Sequence, residues 1–427
     1  MSQEQHPIII IGAGMAGLAC ANWLHRAGQP ALVLEASDGV GGRVRTDLTP
    51  DGFRLDRGFQ ILLTDYPEAQ RMFDYGALDL KTFRSGAVIR LADGRETTLE
   101  NPLQAPLSAP AALASPIGPL ADKLLIGRLA LEFYNQSPEQ LLARPSETTL
   151  EFLRRYGWGE QMIDSFFRPF FGGVYLDREL STASNFFAFV FQQFVRGDAA
   201  IPALGMQQLP EQLAARLPAG TVRLNTAVAA VLDGGRTVRL ASGETLAAAT
   251  TVLATDGPGA AQLLGGALPP PAMLAVRPTT CTYFATVGRA PSHGRRLLHL
   301  NASPNGLVHN VAFPAEVSPA LAPAGQGLVS VSTHGEHGLS EEELTARLRT
   351  ELAAWFGPMA GVWQHLRTYH IAQALPVYGP GQPVQQDLRL GDALLRCGDW
   401  TSYPSLNAAL GTGRQVAEML LVTHKQA

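Results

Sequence analysis

The chain opens its ordered pattern with four consecutive β-branched residues, Ile8 to Ile11, and no polar position among them. Such a run suits a strand buried on both faces of a parallel sheet. Gly12-Ala13-Gly14-Met15-Ala16-Gly17 follows at once, then Leu18 to Ala27 reads as a helix packing through Leu18, Ala21, Trp23 and Leu24 and closed by Gly28. Ala31 to Leu34 is a second apolar strand, with Glu35 at its end. Further strands are expected over Thr221–Asn225, Ala227–Leu232, Thr237–Leu240, Thr251–Ala254 and Ala393–Cys397. Helical patterns cover Ala121–Tyr134, Glu151–Tyr156, Leu209–Leu217, Glu341–Trp355 and a last helix capped by Ser405. Between Thr279 and Thr333 the pattern is strand-rich (Thr280–Val287, Leu307–Phe313, Leu328–Thr333), which predicts an antiparallel sheet.

The strand–glycine loop–helix unit has a specific chemistry. Gly12 permits the tight turn, Gly14 admits a pyrophosphate to the backbone, and Gly17 lets the helix lie close on the strand. The helix N-terminus then offers free N–H groups and a positive dipole end to phosphate. Glu35 lies where an acid accepts hydrogen bonds from the adenosine ribose hydroxyls. The combination predicts a dinucleotide site.

Composition narrows the class. The 427 residues suggest two or three domains, and 33 basic against 37 acidic residues leave a formal charge of −4, with no footprint for nucleic acid. Charged residues make up 16 %, against about 25 % in an average globular chain, and apolar residues 46 %, so a large core is expected. No apolar run reaches the roughly 18 to 20 residues of a membrane span. Cys20, Cys281 and Cys397 are scattered and odd in number, and MSQEQHP carries no basic leader, so the expected location is the cytoplasm, with peripheral membrane contact as the alternative. His334-Gly335-Glu336-His337 lacks a third partner, and no metal is expected.

Aromatic residues total only 7 %, yet Phe166-Phe167-Arg168-Pro169-Phe170-Phe171-Gly172-Gly173-Val174-Tyr175 and Phe186 to Phe194 concentrate them. Such a stretch is either core or the wall of an apolar cavity. Pro102 to Pro119, rich in Pro, Ala and Leu, reads as an irregular connection or as a membrane-docking or substrate-entry element.

After Glu35 comes Asp38-Gly39-Val40-Gly41-Gly42-Arg43-Val44-Arg45, then Gly52-Phe53-Arg54-Leu55-Asp56-Arg57-Gly58-Phe59. The run from Gly12 to Gly58 resembles the flavin-containing amine oxidase superfamily, which includes monoamine oxidases, protoporphyrinogen oxidases and phytoene desaturases. The C-terminal Gly398-Asp399 followed by Ser405-Leu406-Asn407 is similar to it as well, as is Pro169 to Tyr175. The resemblance implies FAD as cofactor and an α/β fold: a Rossmann-type, glutathione-reductase-like FAD domain with a parallel sheet, plus an α+β substrate domain with a mixed or antiparallel sheet. It implies that the FAD domain is assembled from 1–63, 200–265 and 385–427, and the substrate domain from 64–199 and 266–384. Arg43 would then lie near the diphosphate, Gly58 and Phe59 at the isoalloxazine edge, Val228 against adenine, and Ala254-Thr255 beside the cofactor. The Leu406 and Asn407 amides would face the reduced flavin, and Asp399 the ribityl or pyrophosphate region. With Gly12, Gly14, Met15, Ala16, Gly17, Glu35, Ala36, Gly41, Gly42, Gly398 and Ser405 these make up the expected cofactor site.

The match is incomplete in two places. The superfamily's amine oxidases set two aromatics before the flavin; Tyr378 matches one, but Ser405 and Asn407 stand near the other. Their flavin-facing lysine has no counterpart among Lys81, Lys123 and Lys425. No catalytic acid or base is therefore assigned, and the substrate-cavity candidates are Tyr378, Trp400, Phe171 and Tyr175. The resemblance implies dehydrogenation of a lipophilic small molecule by hydride transfer to flavin N5, with O2 or a quinone as electron acceptor. The alternatives are an amine oxidase releasing peroxide, and a non-catalytic flavoprotein that binds a lipid or pigment.

Overall fold

A computed structural model describes residues 7–101, 109–266, 268, 274–288, 290–292, 294–335 and 337–426. Ile8–Ile11 lies in the middle of a six-stranded sheet, flanked by Ala31–Leu34 and Thr250–Leu253, both parallel to it. Val222–Arg223 extends one side and Leu394–Arg396 the other, also parallel, and Arg389–Gly391 adds an antiparallel edge. All four isoleucines are at most 4 % exposed, as a strand covered on both faces requires. Ile8 and Ile10 face the Met15–Arg26 helix side; Ile9 and Ile11 pack with Val231, Val238 and Leu240 of an antiparallel meander.

The C-terminal helix, Leu406–Gln426, crosses the first helix so closely that a Cβ on Gly413 would lie 2.2 Å from the Ala16 carbonyl oxygen. That approach is open only to glycine. It fixes where the start of the C-terminal helix projects.

A second sheet has seven strands in the order Gln364–Pro376, Val276–Val287, Gln326–His334, Asn310–Ala312, Leu298–Asn301, Gly86–Arg90, Glu96–Glu100. It is antiparallel except where Leu298–Asn301 pairs with Gly86–Arg90. One face packs on the Glu341–Phe356 helix through Phe284, Val329, Val331, Leu344 and Leu348. Helices over Leu120–Tyr134, Arg168–Tyr175 and Ser184–Arg196 complete this half of the molecule. In Ser184–Arg196, Phe186, Phe187, Phe189 and Phe191 are each at most 6 % exposed; burial at this level stabilises by about 2 to 3 kcal/mol per side chain.

Some expected elements are shorter in the fold. Thr221–Asn225 reduces to Val222–Arg223, because Asn225 turns left-handed (φ 51°) and ends the strand. Leu307–Phe313 reduces to Asn310–Ala312. Within Pro102–Pro119, residues 102–108 lie outside the described residues, as do residues 1–6, and Ala109–Ala114 forms a short helix that accepts Pro110 in its first turn.

His309 and His334 meet at the seam between the second sheet and the Arg168–Tyr175 helix, with ring centroids 3.8 Å apart. Burial, followed by the nearby Arg178, lowers the His334 pKa to about 4; burial and Arg295 do the same for His299. The native pKa thus lies below the ordinary histidine value of about 6.5, so protonation favours the unfolded chain. Stability present above pH 6.5 should be lost as pH falls toward 4, by roughly 3 kcal/mol for each of the two groups. Thermal unfolding across this range should show a falling midpoint, and His334→Asn should flatten the slope; an unchanged slope would rule out this histidine as a source.

Candidate functional site

The two glycine loops close on one another. Gly12 has φ +105°, and a Cβ there would press on the Ala254 carbonyl oxygen at 2.9 Å; one on Gly17 would lie 2.0 Å from the Gly12 oxygen. These positions hold strand, turn and helix together. Gly14 differs: nothing lies within 4 Å of the position its Cβ would take. It precedes the first helix, whose N-terminus has no side-chain cap and no acidic residue in its first turn, so the Met15, Ala16 and Gly17 end of the helix keeps its positive pole.

The second loop packs against this opening. Gly41 N–H donates to the Ala13 oxygen at 2.8 Å, Gly14 and Gly41 form a parallel bridge, and Gly42 is exposed at φ +60° with Gly14 Cα close to its absent Cβ. Glu35 anchors both loops: Oε2 accepts from Ala13 N at 2.7 Å, and Oε1 from Ser37 N and Oγ at 2.9 and 2.7 Å. One amide of the glycine loop is thereby spent on Glu35, which the motif alone does not reveal. Thr226 N donates to the Glu35 backbone oxygen at 2.8 Å and Asn225 N to the Ser37 oxygen at 2.9 Å, so the segment leading into Val228 runs beside the exposed Ala36.

Arg43 projects from the second loop and bridges distant parts of the chain. Its Nη2 donates to Asp399 Oδ1 at 2.7 Å and its Nη1 to the Ala374 oxygen at 3.0 Å. Burial opposes the Arg43 charge, but the Asp399 carboxylate outweighs it, with Asp256 adding, so its pKa is raised. Gln60, which the sequence reading did not single out, donates from Nε2 to the Arg43 oxygen at 2.8 Å and fixes the chain after Gly58 and Phe59. Gly58 (φ +101°) passes Ile371 so closely that a Cβ would lie 2.7 Å from its Cδ1. Asp56 accepts from Thr46 Oγ1 at 2.5 Å and Met206 N at 2.9 Å, sewing the glycine-rich region to the loop after Ile201; burial lifts its pKa to about 6.

At the C-terminal end, Gly398 (φ +139°) donates its N–H to Thr412 Oγ1 at 3.0 Å. Ser405 Oγ accepts from Ala408 N at 3.0 Å, capping the last helix. The Leu406 and Asn407 amides belong to its first turn, which an α-helix leaves without intrahelical acceptors. Both ends of the Asn407 side chain are held: Oδ1 accepts from Glu68 N at 2.9 Å, and Nδ2 donates to the Tyr403 hydroxyl at 2.9 Å. Ala254 and Thr255 follow the Thr250–Leu253 strand beside Gly12, and the Thr255 oxygen accepts from Trp400 Nε1 at 2.9 Å.

The substrate-cavity candidates divide. Tyr378 and Tyr175 both pack on Phe186, at 6.0 and 5.5 Å between ring centroids, and Phe171 lies 5.8 Å behind Tyr175, within the phenylalanine core. Trp400 sits apart from them, in the apolar cluster with Ile9, Ile11 and Leu253. Of the lysines, Lys81 pairs with Asp79 and Lys123 donates to backbone oxygens of Leu113 and Ser115. Within 334–337, Glu336 is outside the described residues, and His337 Nε2 bonds Thr333.

This donor set fits a dinucleotide: an uncapped helix start, open space at Gly14, a second exposed glycine, and a carboxylate at the end of the neighbouring strand. A family profile described as flavin containing amine oxidoreductase matches residues 15–421. Human lysine-specific histone demethylase 2 is 53 % identical over 55 residues, 13 % of this chain and 7 % of that protein. The 15-cis-phytoene desaturase of Arabidopsis thaliana is 39 % identical over 66 residues, 16 % of this chain and 12 % of that one. The aligned stretches thus span a small part of these curated relatives. Among solved structures, a putrescine oxidase triple mutant superposes with a TM-score of 0.74 at 20 % identity, covering 98 % of this chain and 99 % of that one. A protein of Exiguobacterium sp. 255-15 described as a protoporphyrinogen oxidase gives 0.73 at 17 %, covering 99 % and 100 %.

Two glycine substitutions separate the fold's needs from the ligand's. Gly14→Ala should leave the unfolding midpoint within about 2 °C of the parent, because its Cβ enters open space, yet weaken dinucleotide binding at least tenfold. Gly17→Ala should destabilise outright, since its Cβ meets backbone. Calorimetry and cofactor titration of both read this out; unchanged affinity in Gly14→Ala would place the phosphates elsewhere.

Proposed function

The chain belongs to the flavin containing amine oxidoreductase family, and from that premise we propose that it is an FAD-dependent oxidoreductase that dehydrogenates a lipophilic small molecule. The observation that carries this reading is the open cradle at Gly14, bounded by the first helix, Gly42 and the anchored Glu35. Gly12, Gly14, Met15, Ala16, Gly17, Gly41, Gly42 and Arg43 would hold the diphosphate, and Glu35 and Val228 the adenosine end. Gly58, Phe59, Gly398, Asp399 and the Leu406 and Asn407 amides would flank the flavin end. We assign 1–63, 200–265 and 385–427 to the cofactor domain, and 64–199 and 266–384 to the substrate domain. The support is that the strands of the six-stranded sheet come from all three of the former segments.

Bound FAD would supply a two-electron acceptor at its N5. The chain's part is then orientation and electrostatics. The positive end of the Leu406–Gln426 helix favours negative charge at its start, where Ser405 leaves two amides free to point outward. The buried, apolar surroundings of Phe186 and Tyr378 would keep water away from the reacting atoms. Positioning of this kind can account for much of the barrier reduction in a hydride transfer. Ser405 in place of an aromatic, and Lys81 and Lys123 paired elsewhere, favour this reading over amine oxidation. O2 or a quinone would return the flavin to its oxidised state.

The Leu120–Tyr134 helix supports peripheral membrane contact. Leu120, Leu124, Leu131 and Tyr134 are 55, 63, 76 and 53 % exposed on one stripe, continued by Leu113 at 50 %. A patch of this kind exceeds scattered surface apolarity and suits the plane of a bilayer interface. Among the described residues no helix is long and apolar enough to cross a membrane.

Purified protein should carry FAD, seen by absorption and by release of the nucleotide on denaturation. Glu35→Gln should weaken its retention about ten- to a hundredfold, the range for hydrogen bonds to a charged group. A protein that neither carries nor takes up FAD sinks the reading. In vesicle flotation, the parent should float with phosphatidylglycerol-containing liposomes and Leu124→Glu/Leu131→Glu should stay behind; equal recovery of both would remove the membrane contact.

A further inference from the structure

Tyrosines from four separate segments converge on two phenylalanines of the Ser184–Arg196 helix. Tyr175 and Tyr378 pack on Phe186 at 5.5 and 6.0 Å, Tyr66 stacks on Phe189 at 5.9 Å, and Tyr403 touches both, at 5.6 and 5.2 Å. All four are buried, at 1 to 8 % exposure. Two of the hydroxyls are accounted for: Tyr403 accepts from Asn407 Nδ2, and Tyr378 lies 3.5 Å from Asn185 Nδ2. The Tyr175 hydroxyl is buried with no hydrogen-bond partner among the described residues. Leaving such a donor unpaired costs about 1 to 3 kcal/mol, which an acceptor on a bound molecule would recover.

The surroundings define that partner. Burial, then the neighbouring phenols, keep Tyr175 and Tyr66 protonated, so they act as donors. Glu68, which acts on Tyr403, is held by Arg71 at 2.5 Å and by both arms of Arg414 at 2.9 and 3.0 Å, so its charge is already balanced. Arg414 is spent in turn on Glu68 and Glu418. We propose that the Tyr175 hydroxyl, with Tyr66 beside it, is the recognition point for an uncharged oxygen acceptor, the conjugated carbonyl of a ketone or quinone, on the lipophilic ligand. Tyr403 joins the start of the C-terminal helix through Asn407, so the carbonyl would be held next to the flavin end of the cofactor site; this assignment rests on the FAD reading above.

Duroquinone and acetophenone are the probes, each titrated into FAD-loaded protein and followed by calorimetry and by the flavin difference spectrum. Tyr175→Phe should bind both at least tenfold more weakly, with an unfolding midpoint equal to or above the parent's because the ring packing is kept. Tyr156→Phe, which removes a hydroxyl bonded to Glu132 Oε2 at 3.1 Å, should stay within twofold. Parent-like binding in Tyr175→Phe, or no binding of either probe to the parent, overturns the proposal while leaving the FAD reading intact; a protein without FAD overturns that reading instead. Anaerobically reduced protein then distinguishes the sources of the carbonyl. Duroquinone takes two electrons and two protons to become duroquinol as the flavin is reoxidised. If Tyr175→Phe slows this step but not oxidation by ferricyanide, the carbonyl is that of the quinone acceptor. If this step keeps the parent's rate at saturating duroquinone, the carbonyl belongs to the molecule being oxidised.

Discussion

The architecture depends on backbone approaching backbone with no Cβ between. Gly17 brings the first helix against the Gly12 turn, and Gly413 brings the C-terminal helix against the first at Ala16. Either contact made with alanine would place a methyl group about 2 Å from a carbonyl oxygen, inside any tolerable distance. Because both hold, a helix that begins about four hundred residues along the chain has its N-terminal turn fixed relative to a loop at its very start. The cradle at Gly14 is what remains when the glycines around it are used for packing and that one is not.

A second level of organisation joins the two sheets by charge. Arg43 ties the second glycine loop to Asp399 and to the strand Gln364–Pro376. Asp47, on the hairpin that follows, accepts from Arg57 at 2.8 Å, Arg367 at 3.0 Å and the Tyr369 hydroxyl at 2.8 Å. Burial works against the Asp47 charge, and these partners outweigh it, so its pKa is lowered. The two glycine loops are thus braced against the Gln364–Pro376 edge of the second sheet. Movement of that half would be felt at Arg43.

The strand–loop–helix unit was legible because its signals are local: four isoleucines, glycines at fixed offsets, and an acid after the next strand. The helix over Ala121–Tyr134 was legible for the same reason and begins one residue earlier, at Leu120. Long-range pairings were not. Arg43 and Asp399 are 356 positions apart, and nothing in either neighbourhood names the other. Trp400 adjoins Asp399 in sequence, but the short helical turn Asp399–Thr401 sends its ring into the cluster with Ile9, Ile11 and Leu253 on one face of the six-stranded sheet, away from Tyr378. Tyr66 and Tyr403 read as ordinary tyrosines until the fold sets them around Phe186 and Phe189. The phenylalanine-rich stretch, open in sequence between core and cavity wall, is core at Phe171 and Phe187 and borders the tyrosine cluster at Phe186 and Phe189.

The central claim is that the two glycine loops and the start of the C-terminal helix form one binding surface for a single flavin dinucleotide. A crystal structure of the FAD-loaded protein tests it most directly. The account predicts the diphosphate over Gly14 and Gly42, the ribose at Glu35, and the ring system ending between Gly58 and the Leu406–Asn407 amides. Density for the cofactor at any other place, with the space at Gly14 filled only by solvent, would contradict it.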